Sequence, residues 1–406
     1  MTIRIFVVLC IATFAAMLGI GIIIPILPLY ARNLGASGMM LGIIFSSFAL
    51  TMAIANPLAG RVSDRIGYKL IISLGLGIHI FVALFYVIAT KPIHLITIRL
   101  AQGVLSAMVW PVAMAYIGYI APKDQEGSYT GIYNTWLYLG MGIGPFIGGT
   151  LTDIYNIRMP FYAMAGFLSL AFLLVIFILP GKKDSSGKTL IKKNAISKHP
   201  IKDTLNSDLM KGILAFAFII ALGESGLMTF LPLITSRENI SPTQIGILAS
   251  AIMLFAGVLQ TPFGYLANRY SKVFLVVMGV LLISVSMACV PLCLNFSSFF
   301  IPSALVGIGA AVATPAGTAM IIRGSKNIGL GFSLGAYNFV FGLGMVIGPV
   351  FYGFIMDSIG LDEIFYISAG MFILGACVFY YYTRKIENPQ IDSHQPSVDS
   401  REGGNL

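Results

Sequence analysis

The sequence predicts an all-α membrane protein whose twelve spanning helices form two pseudo-symmetric six-helix bundles. Three observations predict it. Of 406 residues only 10% are charged and 57% are hydrophobic, with a mean hydropathy of +0.89. A soluble chain carries about 25% charged residues, so a water-soluble enzyme or nucleic-acid binder is excluded. The apolar residues form twelve long runs, unlike the roughly 10-residue alternating segments of an outer-membrane barrel. Finally, short strings recur across the chain at one fixed spacing of 204 residues.

A membrane-crossing helix needs about 20 mostly apolar residues. In the N-terminal half such runs lie near 5–30, 40–60, 68–90, 93–119, 127–151 and 160–180. The first resembles a signal peptide only superficially. It is too long, keeps Pro25 and Pro28 inside it and lacks a clear small-residue cleavage site, so it is read as a retained helix. The second half supplies runs near 210–235, 243–267, 272–294, 297–322, 328–356 and 363–383. Between the halves, residues 181–209 are polar, basic and interrupted by Gly and Pro, as expected of a linker. The expected organisation is a first bundle at 1–180, the linker at 181–209, a second bundle at 210–385 and a disordered tail at 386–406.

The net charge of +9 falls in short gaps between apolar runs, not on a nucleic-acid-binding face. With twelve spans both termini share one side. That side collects 20 of the 25 Lys and Arg, against Arg32, Lys91, Arg158 and Arg237 opposite and Arg99 within a span. This asymmetry places both termini in the cytoplasm. Cys10, Cys289, Cys293 and Cys377 all lie in apolar runs and form no disulfide framework. Cys289 and Cys293 share a helix face without a His or acid, so neither a metal nor a cofactor is expected.

The repeat is specific. Gly131-Ile-Tyr-Asn134 matches Gly335-Ala-Tyr-Asn338, Leu139-Gly-Met141 matches Leu343-Gly-Met345, and Gly144-Pro145 matches Gly348-Pro349. Asp153 matches Asp357, Leu27-Pro-Leu29 matches Leu231-Pro-Leu233, Gly103 matches Gly307 and Pro111 matches Pro315. Two related halves imply a pseudo-two-fold axis along the membrane normal, with the site at their interface.

Several strings carry mechanism. The loop Gly60-Arg-Val-Ser-Asp64-Arg65-Ile-Gly67-Tyr68-Lys69 has glycines for a tight turn and, in Asp64, an acid suited to a helix N-terminus. The fifth run holds Gly140, Gly144, Pro145, Gly148 and Gly149: the spaced glycines form a smooth face, and Pro145 removes a backbone donor and bends the helix. The first run reads Leu18-Gly19-Ile-Gly21-Ile-Ile-Ile-Pro25-Ile-Leu-Pro28-Leu29, and the fourth contains Arg99-Leu-Ala-Gln102-Gly103. Together these strings resemble the major facilitator superfamily over nearly the whole chain, and within it the twelve-span drug:proton antiporter branch. Tyr68 departs from that family's usual basic residue. The resemblance implies Asp64 as part of a cytoplasmic gate with Gly60, Arg65, Gly67 and Lys69, closing on the start of the eleventh span. It also implies alternating access in the plasma membrane, export of a small molecule, and protons as the driving partner.

Intramembrane charges are costly unless paired or hydrated. Two stand well inside spans. Arg99 is read either as a proton-transfer or as a structural group; Glu224, mid-span in the seventh run, is the candidate coupling acid. Trp110 and Trp136, with Tyr133, Asn134, Tyr337 and Asn338, are read as cavity walls or as inter-helix packing. No nucleotide-binding P-loop is present, so ATP does not drive the chain directly. The expected protein is a non-enzymatic transporter of amphipathic or cationic compounds, working as a monomer in the bilayer. The alternatives are a carrier of one metabolite, siderophore or lipid, and a membrane sensor or scaffold that transports nothing.

Overall fold

The computed structural model describes residues 2–122, 125–180, 203–204, 206–267, 269–325 and 328–384. Most of the 181–209 linker and the whole 386–406 tail lie outside the described residues. In chain order the helices are α1 (Thr2–Ile23), α2 (Ile26–Asn33), α3 (Gly38–Ile66), α4 (Tyr68–Ile88), α5 (Pro92–Ile120), α6 (Glu126–Ile154) and α7 (Met159–Ile178). The second half holds α8 (Asp208–Arg237), α9 (Pro242–Leu266), α10 (Lys272–Cys289), α11 (Phe296–Gly324), α12 (Leu330–Ser358) and α13 (Asp362–Thr383).

Eleven described helices are long and apolar enough to cross a membrane. The 29-residue α6, glycine-rich, packs among them as the twelfth span. The first run is not one helix. It breaks at Ile24-Pro25 into α1 and α2, where Pro25 and Pro28 remove two backbone donors within four residues. Helix starts follow local chemistry. Ser37 and Ser241, 204 apart, accept from Met40 N and Gln244 N at the starts of α3 and α9. Gly67, at φ +105°, makes the sharp turn from α3 into α4.

The two halves share one packing plan. In the first, α1 packs on α6 and α7, α3 on α5, and α4 on α5 and α7. In the second, α8 packs on α12 and α13, α9 on α11, and α10 on α11 and α13. The halves meet along two related seams, α3 against α12 and α6 against α9, with α2 touching α8.

These seams are closed on the side away from the termini. There Gly42 abuts the Pro349 backbone and Gly246 the Pro145 backbone; one turn outward, Gly353 abuts Gly38 and Gly149 abuts Pro242. All four pairs obey the 204 spacing. Small residues let the backbones touch, as in other membrane helix pairs. Toward the termini the seams part: a Cβ on Gly60, Gly131, Gly335 or Gly342 would meet nothing within 4 Å. The molecule is therefore a cleft open on the terminal side and sealed on the far side.

Candidate functional site

Glu224 stands half-buried near the middle of α8. It lies within electrostatic reach of Tyr138 on α6 and Tyr337 on α12. Tyr138 belongs to the first half and Tyr337 to the second, so one tyrosine of each half lies within that reach. Tyr337 stacks on Phe341, with centroids 6.1 Å apart and planes at 21°. Ion pairs near helix ends join Lys211 to Asp208 and Arg237 to Glu238 and Asp362. None of these pairs includes Glu224.

Beyond Glu224 the path to the far side is apolar. Ile24, Pro25, Pro145, Leu227, Leu231 and Ile252 surround a void of about 20 Å³, enough for about one water but without polar partners to hold it. This plug forms where the α1–α2 break meets α6, α8 and α9. On the far surface lies a separate depression of about 530 Å³, lined in part by Arg32, Asn33, Thr152, Ser236 and Arg237. The plug separates that depression from Glu224.

The expected cavity residues divide. Trp110 and Trp136 are 36% and 37% exposed, and Trp136 meets Phe14 edge-on at 5.8 Å. Asn134 is half-buried and Asn338 exposed. Tyr133 takes the packing alternative. It is 0% exposed, and its hydroxyl donates to the Trp110 carbonyl at 3.3 Å, inside the first bundle rather than in the cleft. Its repeat mate Tyr337 is half-buried and stacks on Phe341. Tyr138 was not singled out by sequence; a single tyrosine in a Gly-rich run carries no signal there.

Arg99 does not pair with Glu224. It is buried in the first bundle, where Nη1 donates to Gln102 Oε1 at 3.0 Å and Nε to the Ile44 carbonyl at 3.5 Å. Its guanidinium lies 4.2 Å from the Phe48 ring centroid and 5.2 Å from that of Phe45. Cation–π attraction of this kind contributes about 0.5–2 kcal/mol. Tyr86 OH donates to the same Gln102 oxygen at 2.7 Å, and the buried His79 completes this polar core. Gln102 is already legible in the Arg99-Leu-Ala-Gln102-Gly103 string, whereas the buried His79 carries no sequence signal.

The gate residues also divide. Asp64 is exposed and accepts from Tyr68 OH at 3.0 Å. Tyr68 stacks on Tyr116 at 5.1 Å and 14°, so the family departure at this position has its own local use. Lys69 Nζ donates to the Ile176 carbonyl at 2.7 Å and to the Leu179 carbonyl, at the end of α7 in its own half. Arg65 is exposed, and Gly60 and Gly67 have no close neighbours.

The α6 glycines split between two partners. Gly140, Gly144 and Gly148 face the α1 backbone at Phe14, Leu18 and Ile22, while Gly149 and Pro145 face α9 across the seam. One motif therefore fixes α6 within its bundle and seals it against the other.

Comparison with known proteins agrees with this geometry. The family model described as Major Facilitator Superfamily matches residues 9–238 and 213–401. An uncharacterized MFS-type transporter of Methanocaldococcus jannaschii is 31% identical over 378 residues, spanning 92% of this chain and 96% of that one. The quinolone resistance protein NorA of Staphylococcus aureus is 28% identical over 371 residues, spanning 90% and 93%. Among solved structures, a bacterial homolog of the human lysosomal transporter Spinster, inward-facing and unoccupied, superposes with a TM-score of 0.79 at 16% identity, covering 94% of this chain and 97% of that one. The nucleoside transporter NupG gives 0.77 at 14% identity, covering 94% and 99%. At these identities the two structures speak for the fold alone.

Proposed function

The chain belongs to the major facilitator superfamily, and from that premise we propose that it exports small amphipathic or cationic compounds in exchange for protons. The observation that carries this reading is Glu224, a mid-span carboxyl within electrostatic reach of Tyr138 of one half and Tyr337 of the other. A carboxylate in hydrocarbon is costly unless paired, hydrated or neutral. Protonated, it is tolerated empty; deprotonated, it attracts a cation. Proton and cationic substrate then compete for one group, and such linkage is reciprocal. Trp110, Trp136, Asn134, Tyr337 and Asn338 form the aromatic and weakly polar walls. Arg99 acts through the polar core of the first bundle rather than by pairing with Glu224. The similarity to a quinolone resistance protein favours drug-like substrates.

In this reading the termini face the cytoplasm, the protein works as a monomer in the plasma membrane, and the cleft is the inward-open state. A cysteine introduced at Ser197, in a version lacking the four native cysteines, resists an impermeant reagent outside intact cells. Ready labelling from outside overturns the orientation.

The coupling test is Glu224→Gln in proteoliposomes. The variant mimics the protonated group and cannot titrate. Uphill export under an imposed pH gradient is lost, while downhill exchange persists. Uphill transport at the unmodified rate shows that protons bind elsewhere or do not couple. A carrier of one metabolite, siderophore or lipid is distinguished by a compound panel in which a single chemical class moves. A sensor or scaffold moves none.

A further inference from the structure

The far seams are twins in packing but not in hydrogen bonding. Asp357, near the end of α12, accepts from Gly38 N at 2.7 Å through Oδ1 and from Met39 N at 2.8 Å through Oδ2. These are the first two backbone donors of α3. Its repeat mate Asp153, near the end of α6, accepts from Thr243 N at 2.8 Å. The position matching Gly38 is Pro242, the first residue of α9, which has no N–H to give. Ser37 and Ser241 both accept from the third residue of their helix, and on α9 Gln244 returns the bond to Ser241 N. Among the described residues each seam has one further serine bond, though not to matching partners. Ser46 Oγ bonds the Val346 carbonyl across one seam, and Ser250 Oγ accepts from Phe146 N across the other. The glycine contacts are paired position by position.

An acid at a helix N-terminus is held both by its hydrogen bonds and by the positive end of the helix. In Asp357 and Asp153 the acid and the helix belong to opposite halves, so the bonds must break before the far side opens. Opening exposes two donors on α3 but one on α9. Proline at the first helical position costs α9 itself nothing, since that N–H would be unpaired within the helix anyway. Its consequence falls on the seam instead.

We propose that Asp153 and Asp357 are unequal far-side latches, and that Pro242 makes the α6–α9 seam part before the α3–α12 seam. The two halves then rock about an axis tilted toward α3 and α12, rather than about the pseudo-two-fold plane. This rests on the alternating-access reading above and adds an order to it.

The test uses the full chain, free of native cysteines, in lipid nanodiscs. Spin-label pairs at Ile43 with Ile359 and at Ile247 with Tyr155 report the two seams at matching positions. Wild type shows a larger open fraction at Ile247–Tyr155. Pro242→Ala, which supplies the missing donor, moves that pair several-fold toward closed and brings the seams level. Asp357→Asn raises opening at Ile43–Ile359 by more than Asp153→Asn raises it at Ile247–Tyr155. Thermal unfolding of each variant separates a seam effect from loss of fold. Equal opening of both pairs in wild type, or no response to Pro242→Ala in a folded protein, overturns the order. Seams that never part under any substrate or pH condition overturn alternating access itself.

Discussion

Gly246 of α9 rests directly on the carbonyl of Pro145 in α6, so closely that a Cβ would collide with backbone rather than with a movable side chain. The same contact recurs between Gly42 and Pro349. Pro145 therefore does more than bend its helix: it presents its backbone at the point where the halves close.

Replacing Gly246 with Ala follows from this contact. The far side can then no longer seal, and the population shifts toward the far-open state. Transport falls at least about tenfold, the equivalent of 1.4 kcal/mol, and a far-side cysteine reporter becomes more reactive. Gly317→Ala is the control, because a Cβ there meets nothing within 4 Å. It keeps full transport and gains slightly in helix stability. Normal transport by both variants would remove the close seam from the mechanism.

Gln102 is predicted to hold the core of the first bundle. Its oxygen receives both Arg99 Nη1 and Tyr86 OH. Gln102→Leu leaves those two buried donors without an acceptor, a loss of about 1–3 kcal/mol for each stranded group. Gln102→Glu keeps the acceptor and adds a counter-charge for Arg99. The Leu variant melts well below wild type in detergent, and the Glu variant at or above it. A Leu variant as stable as wild type would mean that the network contributes nothing.

Lys69 is predicted to matter for stability rather than gating. A cation on the last carbonyls of a helix contributes about 0.3–1 kcal/mol, up to about 2 when partly buried. Lys69→Ala lowers the melting temperature by a few degrees and leaves transport largely intact, and Lys69→Arg restores it. Loss of transport with an unchanged melt would return Lys69 to the gate.

Asp64 and Tyr68 give effects of opposite sign. In the open cleft, Tyr68 OH occupies Asp64. Tyr68→Phe frees the acid for the start of α12 and shifts the terminal side toward closed. Asp64→Asn weakens that closed state and shifts it toward open. Each change is several-fold in population, since an exposed acid at a helix end biases a two-state equilibrium without locking it. Distance distributions across the terminal ends of α3 and α12 check both. Shifts of the same sign would show that the two residues do not compete.

The spans, the internal repeat and the distribution of charge are legible in the order of residues. Hydrocarbon leaves backbone groups no partner but the helix itself, so a run of apolar residues of sufficient length has one outcome. The 204-residue repeat fixed that both halves pack alike, because equal small residues at equal positions permit equal approach. Glu224 stood out for the same reason: a mid-span carboxylate is conspicuous in any apolar run. Only the tertiary structure decided what each polar group meets. It buried Tyr133 fully and left Tyr337 half-buried against Phe341, although both occupy the same place in the repeat. It gave Arg99 a glutamine and two aromatic rings instead of an acid, and Lys69 the end of a helix in its own half. It also set Asp357 and Asp153 against helices 319 and 90 residues away in sequence. Such partners are fixed by which helix faces meet, and by which side of the cleft is closed. Neither is written in hydrophobicity or spacing, because those patterns say which residues are apolar and not which faces touch.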